Sequence, residues 1–259
     1  MYLTLSIVFM GPAGSGKTTL THRFGEWLRK QLFSKVAYVN LDPGAEEILY
    51  NPVFDVRSII TLRKVMEQYK LGPNGAFIKS IELLADNIDY IFNQRPFNEV
   101  DQWDYILIDT PGQMEAFLFR RASNVFFKYL REISNALIVF IIDVSAIENI
   151  PDLMTLWFIH VLINVKYGLT VIPVFNKVDL VEDVRYVKML VENPDKLMKI
   201  VKKRVQKGLI SEIAPELVSI AVKTKAPIRP ILFSALKQTD FTDLYSVIHE
   251  AFCACGDLT

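Results

Sequence analysis

Gly11-Pro12-Ala13-Gly14-Ser15-Gly16-Lys17-Thr18 follows the apolar run Leu3–Met10 and opens the segment Thr18–Leu32, whose apolar residues recur at helical spacing. The octapeptide satisfies G-x-x-x-x-G-K-[ST] in a strand–loop–helix setting, the context this phosphate-binding pattern requires. Glycines there remove side chains, so successive backbone N–H groups converge on phosphate oxygens at the positive end of the following helix. Lys17 supplies a point charge to the β/γ-phosphates, and the Thr18 hydroxyl is a ligand for Mg²⁺. Thr19 completes this set of candidate nucleotide-binding residues. The loop points to a nucleoside triphosphate and leaves the fate of that nucleotide to the rest of the chain.

Outward from the loop, short apolar runs alternate with helical patterns: Leu3–Met10, Lys35–Leu41, Asp104–Ile108, Ala136–Ile142, Thr170–Phe175 and Ile228–Phe233. Several are apolar throughout, as strands covered on both faces of a parallel sheet must be. The alternation predicts a doubly wound, mostly parallel α/β fold. With no repeat, low-complexity tract or break in composition, a single domain over residues 1–259 is expected. Two connections exceed an ordinary crossover. Residues 51–98 read as two helices split at Leu71-Gly72-Pro73-Asn74-Gly75, and residues 180–227 as two or three helices. Such insertions are where a shared core acquires a particular function.

Composition narrows the function classes. Hydrophobic residues make up 51% of 259 and the mean hydropathy is +0.24, which leaves apolar surface for a contact between subunits. Lys+Arg and Asp+Glu both number 29, so no global field favours nucleic acid or an anionic membrane. The most apolar internal stretch, Leu153–Val165, is too short to span a bilayer, and its Trp157 and Phe158 read as core or subunit seam. Lys196–Lys207 is basic with apolar residues at helical spacing, an amphipathic helix with a solvated face. The chain has two cysteines, Cys253 and Cys255. They form no disulfide framework, and with no secretory pattern ahead of the glycine loop the expected location is the cytoplasm.

Asp109-Thr110-Pro111-Gly112-Gln113 stands at the carboxyl end of Tyr105–Ile108, the edge that faces the ligand crevice in a parallel sheet. An acid there holds Mg²⁺ through a water, and the Gly112 N–H senses the γ-phosphate. Asn176-Lys177-Val178-Asp179 follows Val171–Phe175, again at a strand end. The Asp179 carboxylate can accept from guanine N1–H and its exocyclic amine, a pairing adenine cannot offer. Lys177 covers the base with its stem, and Asn176 ties neighbouring loops. Alone, N-K-x-D is a short match with a surface turn as default; its position after two other nucleotide motifs gives it weight. Ser234-Ala235-Leu236 follows the sixth strand, where a backbone N–H reaches guanine O6.

These motifs resemble those of the TRAFAC and SIMIBI GTPases and select GTP over ATP. Gly72-Pro73-Asn74, Asn40-Leu41-Asp42-Pro43-Gly44 and Gln113-Met114-Glu115 narrow the resemblance to the GPN-loop GTPases over nearly the whole chain, and to the archaeal members most. That resemblance implies a homodimer whose Gly72-Pro73-Asn74 loop crosses into the partner's active site, so that Asn74 reaches phosphate there. It implies that Asp42 and Asp109 hold the Mg²⁺ shell, that Gln113 and Glu115 orient the attacking water, and that GTP and GDP are substrate and product. It also implies protein clients such as RNA polymerase subunits, with no membrane and no direct contact with nucleic acid.

Two departures stand out. Many SIMIBI proteins carry a second lysine where this chain has Pro12, leaving Asn74, Arg120 or Arg121 as candidates to replace it. The family more often has Ala where this chain has Gly44. Asp55-Val56-Arg57 also fits the family pattern, but reads as an exposed ion pair or helix cap. Three other classes remain open: a P-loop kinase acting on a nucleoside or RNA hydroxyl, a metal-insertion GTPase using Cys253 and Cys255, and a GTP-binding assembly factor with negligible turnover.

Overall fold

All six residues of β1 (Leu5–Met10) are buried, the signature of a central strand with neighbours on both edges and helices on both faces. The computed structural model describes residues 4–193, 230–237 and 240–256, with Lys196, Lys199 and Glu216 besides. β4 (Tyr105–Asp109) and β5 (Asn135–Asp143) flank β1 in parallel, with Leu5 opposite both Tyr105 and Asn135. β2 (Val36–Asn40) lies along the other edge of β4, and β3 (Phe54–Asp55) extends β2. β6 (Val171–Asn176) pairs in parallel with β7 (Ile231–Leu232). The order in this seven-stranded sheet is β3-β2-β4-β1-β5-β6-β7. Asp109 is the register partner of Phe9 on one side and Asn40 on the other. The chain segments leaving β1, β2 and β4 therefore emerge together at one carboxyl edge.

The chain forms two compact units, Met1–Ile141 and Ile142–Thr259. In the first, α1 (Lys17–Leu32) buries Leu20, Thr21, Phe24, Gly25 and Leu28 at helical spacing. It stops at Phe33, which takes a left-handed conformation and returns its N–H to Leu28. α2 (Leu62–Tyr69) is capped by the Thr61 hydroxyl, and α3 (Pro73–Asp86) starts with proline in its first turn. α4 (Ile88–Phe92), α5 (Met114–Leu118) and α6 (Arg121–Ile133) complete this unit. In the second unit, α7 (Ile150–Tyr167) is bounded by an Asn149/Asp152 capping box and by left-handed Gly168. Trp157 is buried in α7, as core. α8 (Arg185–Glu192) and α9 (Thr242–Gly256) follow.

The 51–98 connection departs from a purely helical reading. It contributes β3 and a 3₁₀ turn at Val56–Ser58 before its helices. The predicted Leu71–Gly75 break is narrower, because Gly72 caps α3 while Pro73 and Asn74 lie inside its first turn. Of the 180–227 connection, α8 is described. Most of Lys196–Lys207 and the start of the Ile228–Phe233 strand lie outside the described residues, as do the side chains of Cys253 and Cys255.

One contact between α1 and β2 permits no side chain. A Cβ on Gly25 would stand 2.3 Å from the Tyr38 hydroxyl oxygen and 2.6 Å from Cζ. Gly25→Ala gains helix propensity but forces the rigid ring out of place, so a net loss of about 1–3 kcal/mol is expected in urea unfolding.

Candidate functional site

The glycine loop builds its curvature from glycine conformations. Gly14 and Gly16 hold φ of 74° and 97°, and Gly16 caps α1 in the left-handed region. Gly11 is needed for another reason: a Cβ there would sit 2.4 Å from the Ile141 carbonyl oxygen. Lys17, 6% exposed, donates from Nζ to the Gly11 and Pro12 carbonyls, both at 2.9 Å. Burial pulls its ammonium below the ordinary lysine value, against the opposing pull of Asp109, Asp42 and Glu115. Ser15 is buried, Ala13 is exposed, and Thr18 and Thr19 are half-buried.

Asp109 ends β4 and is 2% exposed. Its Oδ2 accepts from the Thr18 hydroxyl at 2.7 Å and from the Tyr50 hydroxyl at 3.1 Å. Its Oδ1 is buried and has no hydrogen-bond partner among the described residues. Burial pushes the Asp109 carboxyl up to about 6, despite those hydroxyls and the Lys17 charge. Asp42 is held by two backbone donors, Gly44 N–H to Oδ1 at 2.8 Å and Gly112 N–H to Oδ2 at 2.6 Å. The N–H read from sequence as a γ-phosphate sensor is thus bound to Asp42 here. Burial raises the Asp42 carboxyl on balance, although both N–H bonds oppose it.

Asp42 is itself supported by neighbouring polar residues. Asn40 accepts from the Asp42 N–H and donates to Asp55 Oδ1 at 2.9 Å. Asp55 and Arg57 form a forked pair, with the shortest bond 2.6 Å, and Arg57 also grips the Ala45 and Glu46 carbonyls. Burial alone would raise the Asp55 carboxyl, but bonds from Arg57 and Asn40 hold it below its usual range. Asp55–Arg57 is therefore a half-buried brace on the loop after β2 rather than an exposed pair, while Asp55 does cap the 3₁₀ turn Val56–Ser58 by accepting from the Arg57 N–H. Tyr50 gave no signal in sequence beyond an aromatic ring inside a polar connection.

Gln113 and Glu115 are exposed around the first turn of α5, Gln113 as its cap residue. Gly72, Pro73 and Asn74 are likewise exposed. Arg120 reaches Glu82 at 3.6 Å and Arg121 reaches Asp86 at 3.5 Å, so both cations lie along α3. Together with Phe119 they line a cleft of about 440 Å³ against that helix.

In the second unit, Asn176 is buried and its Oδ1 accepts from the Ala235 N–H at 2.8 Å. That N–H is consequently engaged, and Leu236 is exposed. Lys177 adopts φ of 65° and donates to Asp143 Oδ2 at 2.6 Å, which fixes the direction of its stem. Asp179 accepts from the Ser234 hydroxyl at 2.6 Å, and Lys237 stands 3.4 Å away. The Ser234 bond holds the Asp179 carboxyl below its usual range.

Comparison with known proteins decides the family. A family profile described as "Conserved hypothetical ATP binding protein" matches residues 9–254. The GPN-loop GTPase PAB0955 of Pyrococcus abyssi is 36% identical over 98% of this chain and 99% of its own length. This chain belongs to the GPN-loop GTPases. The crystal structure of PAB0955, titled as a GTPase in apo form, superposes with a TM-score of 0.87 at 34% identity, covering 98% of this chain and 100% of that one. GPN-loop GTPase 1 of Saccharomyces cerevisiae is 33% identical over 68% of this chain but only 45% of its own length. The sheet is thus a P-loop NTPase sheet and the activity is GTP hydrolysis. No helix among the described residues is long and apolar enough to cross a membrane.

The Asp109 shift carries a pH signature. Its folded-state value of about 6 lies above the 3.8 of an unperturbed aspartate, so the folded state binds this proton more tightly than the unfolded chain. The contribution to nucleotide-free stability is present below about pH 4 and is lost as pH rises through about 6. Asp109→Asn removes the buried charge. In urea unfolding across pH 4 to 8, this variant is expected to lack that loss and to exceed wild type near neutral pH by about 1–3 kcal/mol.

Proposed function

We propose that this GTPase is a Mg²⁺-dependent, homodimeric switch or assembly factor whose nucleotide state sets its hold on client proteins. The observation that carries the metal reading is the bond from the Thr18 hydroxyl to Asp109, whose other oxygen is buried and unpaired. A hydroxyl and two carboxylates are hard oxygen donors that suit Mg²⁺ when triphosphate oxygens complete the shell. Among the described residues no cluster of three or more His, Cys, Asp or Glu is able to hold a metal alone, which fits a site that needs the nucleotide. When bound, Mg²⁺ neutralises charge on the phosphates. Thr18 would hold it directly, Asp109 and Asp42 through water.

The remaining steps belong to side chains and backbone. Lys17 exchanges the Gly11 and Pro12 carbonyls for phosphate oxygens, while the N–H groups of Ala13 to Thr19 close around them. Gly112 leaves Asp42 for the γ-phosphate, and the carboxylate released by that exchange would help to hold Mg²⁺. Gln113 and Glu115, exposed beside the loop's electrostatic field, orient the attacking water. Asp179 exchanges Ser234 and Lys237 for guanine N1–H and its amine. Lys177, steered by Asp143, covers the base, and Asn176 keeps Ser234-Ala235-Leu236 in position beside it.

Asn74 is assigned to the partner's phosphates across a homodimer. The support is its exposure at the proline-locked start of α3, where a neutral amide is offered at low conformational cost. The family resemblance supports a cytoplasmic protein acting on RNA polymerase or another large assembly, without membrane or nucleic-acid contact.

The family description mentions ATP and the relatives are GTPases, so base choice is the first measurement. Purified protein is expected to prefer GTP over ATP in kcat/KM by at least about 10⁴-fold; comparable rates would overturn the guanine assignment. Asn74→Ala is expected to lower GTP turnover about 10²-fold, the scale of losing one transition-state donor. Its affinity for a fluorescent GDP analogue should stay unchanged, and undiminished turnover would remove the loop from catalysis.

A further inference from the structure

We propose that Tyr50 is a positioning residue for the magnesium site, fixing the roll of the Asp109 carboxylate so that Oδ1 is the oxygen left available to help hold the metal. This rests on the metal reading above and adds to it a residue outside the glycine loop and the D-T-P-G string. Carboxylate rotation about its final bond is soft, with broad, roughly two-fold wells. A single donor on one oxygen leaves the group free to swing about that bond. Here two hydroxyls converge on the same oxygen: Thr18 at 2.7 Å and Tyr50 at 3.1 Å both donate to Oδ2. Oδ1 is left buried without a partner among the described residues, an arrangement that is costly unless something else supplies a donor.

The tyrosine is itself held from behind. Its ring stacks on Tyr38, with centroids 4.8 Å apart and planes 19° from parallel. Tyr38 donates to the His22 carbonyl at 3.1 Å, and the Arg29 guanidinium lies 4.6 Å from its ring centre. Val53 donates to the Tyr38 carbonyl at 2.8 Å, closing the connection that carries Tyr50 onto β2. Tyr50 and Asp42 lie on the same stretch between β2 and β3. The hydroxyl therefore links the acid at the end of β4 to the segment that bears the second acid.

The test uses full-length wild type, Tyr50→Phe and Tyr38→Phe. Tyr50→Phe keeps the ring and its stack, and Tyr38→Phe removes a comparable hydroxyl that does not touch Asp109. Circular dichroism checks that each variant folds. Binding of a fluorescent GDP analogue is measured in EDTA and through a Mg²⁺ titration. Tyr50→Phe should raise the half-saturating Mg²⁺ concentration about 10-fold or more, the range for loss of an outer-shell partner, with affinity in EDTA unchanged. Tyr38→Phe should titrate like wild type. A wild-type Mg²⁺ response in Tyr50→Phe, or an equal shift in Tyr38→Phe, would reduce Tyr50 to a core residue. A wild type indifferent to Mg²⁺ would remove the metal reading itself, and this inference with it.

Discussion

A carboxylate buried at the end of a central strand is expensive, and the first half of this protein is organised around one. Asp109 has almost no access to water, and its charge is tolerated because Lys17 and Thr18 at the start of α1 and Tyr50 after β2 converge on it. Removing either hydroxyl leaves a buried acceptor short of a donor, and removing Lys17 takes away the facing positive charge. The same convergence assembles the site: the glycine loop, the end of β4 and the connection after β2 meet because each has a stake in that charge.

A second tier holds Asp42. Asn40, Asp55 and Arg57 form a chain of charge-assisted bonds that shapes the backbone on both sides of it. β3 is only two residues long, too short to matter much as sheet. Its register beside β2 puts Asp55 opposite Asn40, and that is what the brace requires. A minimal strand here works as a positioning device.

The central strands were legible in the sequence because burial on both faces leaves an uninterrupted apolar run, as in Ile106-Leu107-Ile108. The glycine loop, D-T-P-G and N-K-x-D were legible as fixed residue patterns, each set at the carboxyl end of an apolar run. β3 was not, since two residues give no periodicity. Tyr50 was hidden for a related reason: its partners lie on β4 and β2, Asp109 far away in sequence, and nothing beside it marks a buried donor. Asp55–Arg57 looked like a surface pair because sequence alone cannot reveal that Asn40 and two loop carbonyls close around it. Gly72-Pro73-Asn74 marks a break between two helices in the sequence, yet proline's fixed φ suits the first turn of a helix, and α3 begins at Pro73.

Pro12 first drew notice for the side chain it lacks. What it supplies is a carbonyl, which together with that of Gly11 receives the Lys17 ammonium. The ammonium is thus solvated from within the loop, by the loop's own backbone. On the function proposed above, phosphate oxygens would replace ligands around an ammonium that is already coordinated. The loop therefore fixes the position of its own lysine through main-chain oxygens, which no exchange of a neighbouring side chain removes.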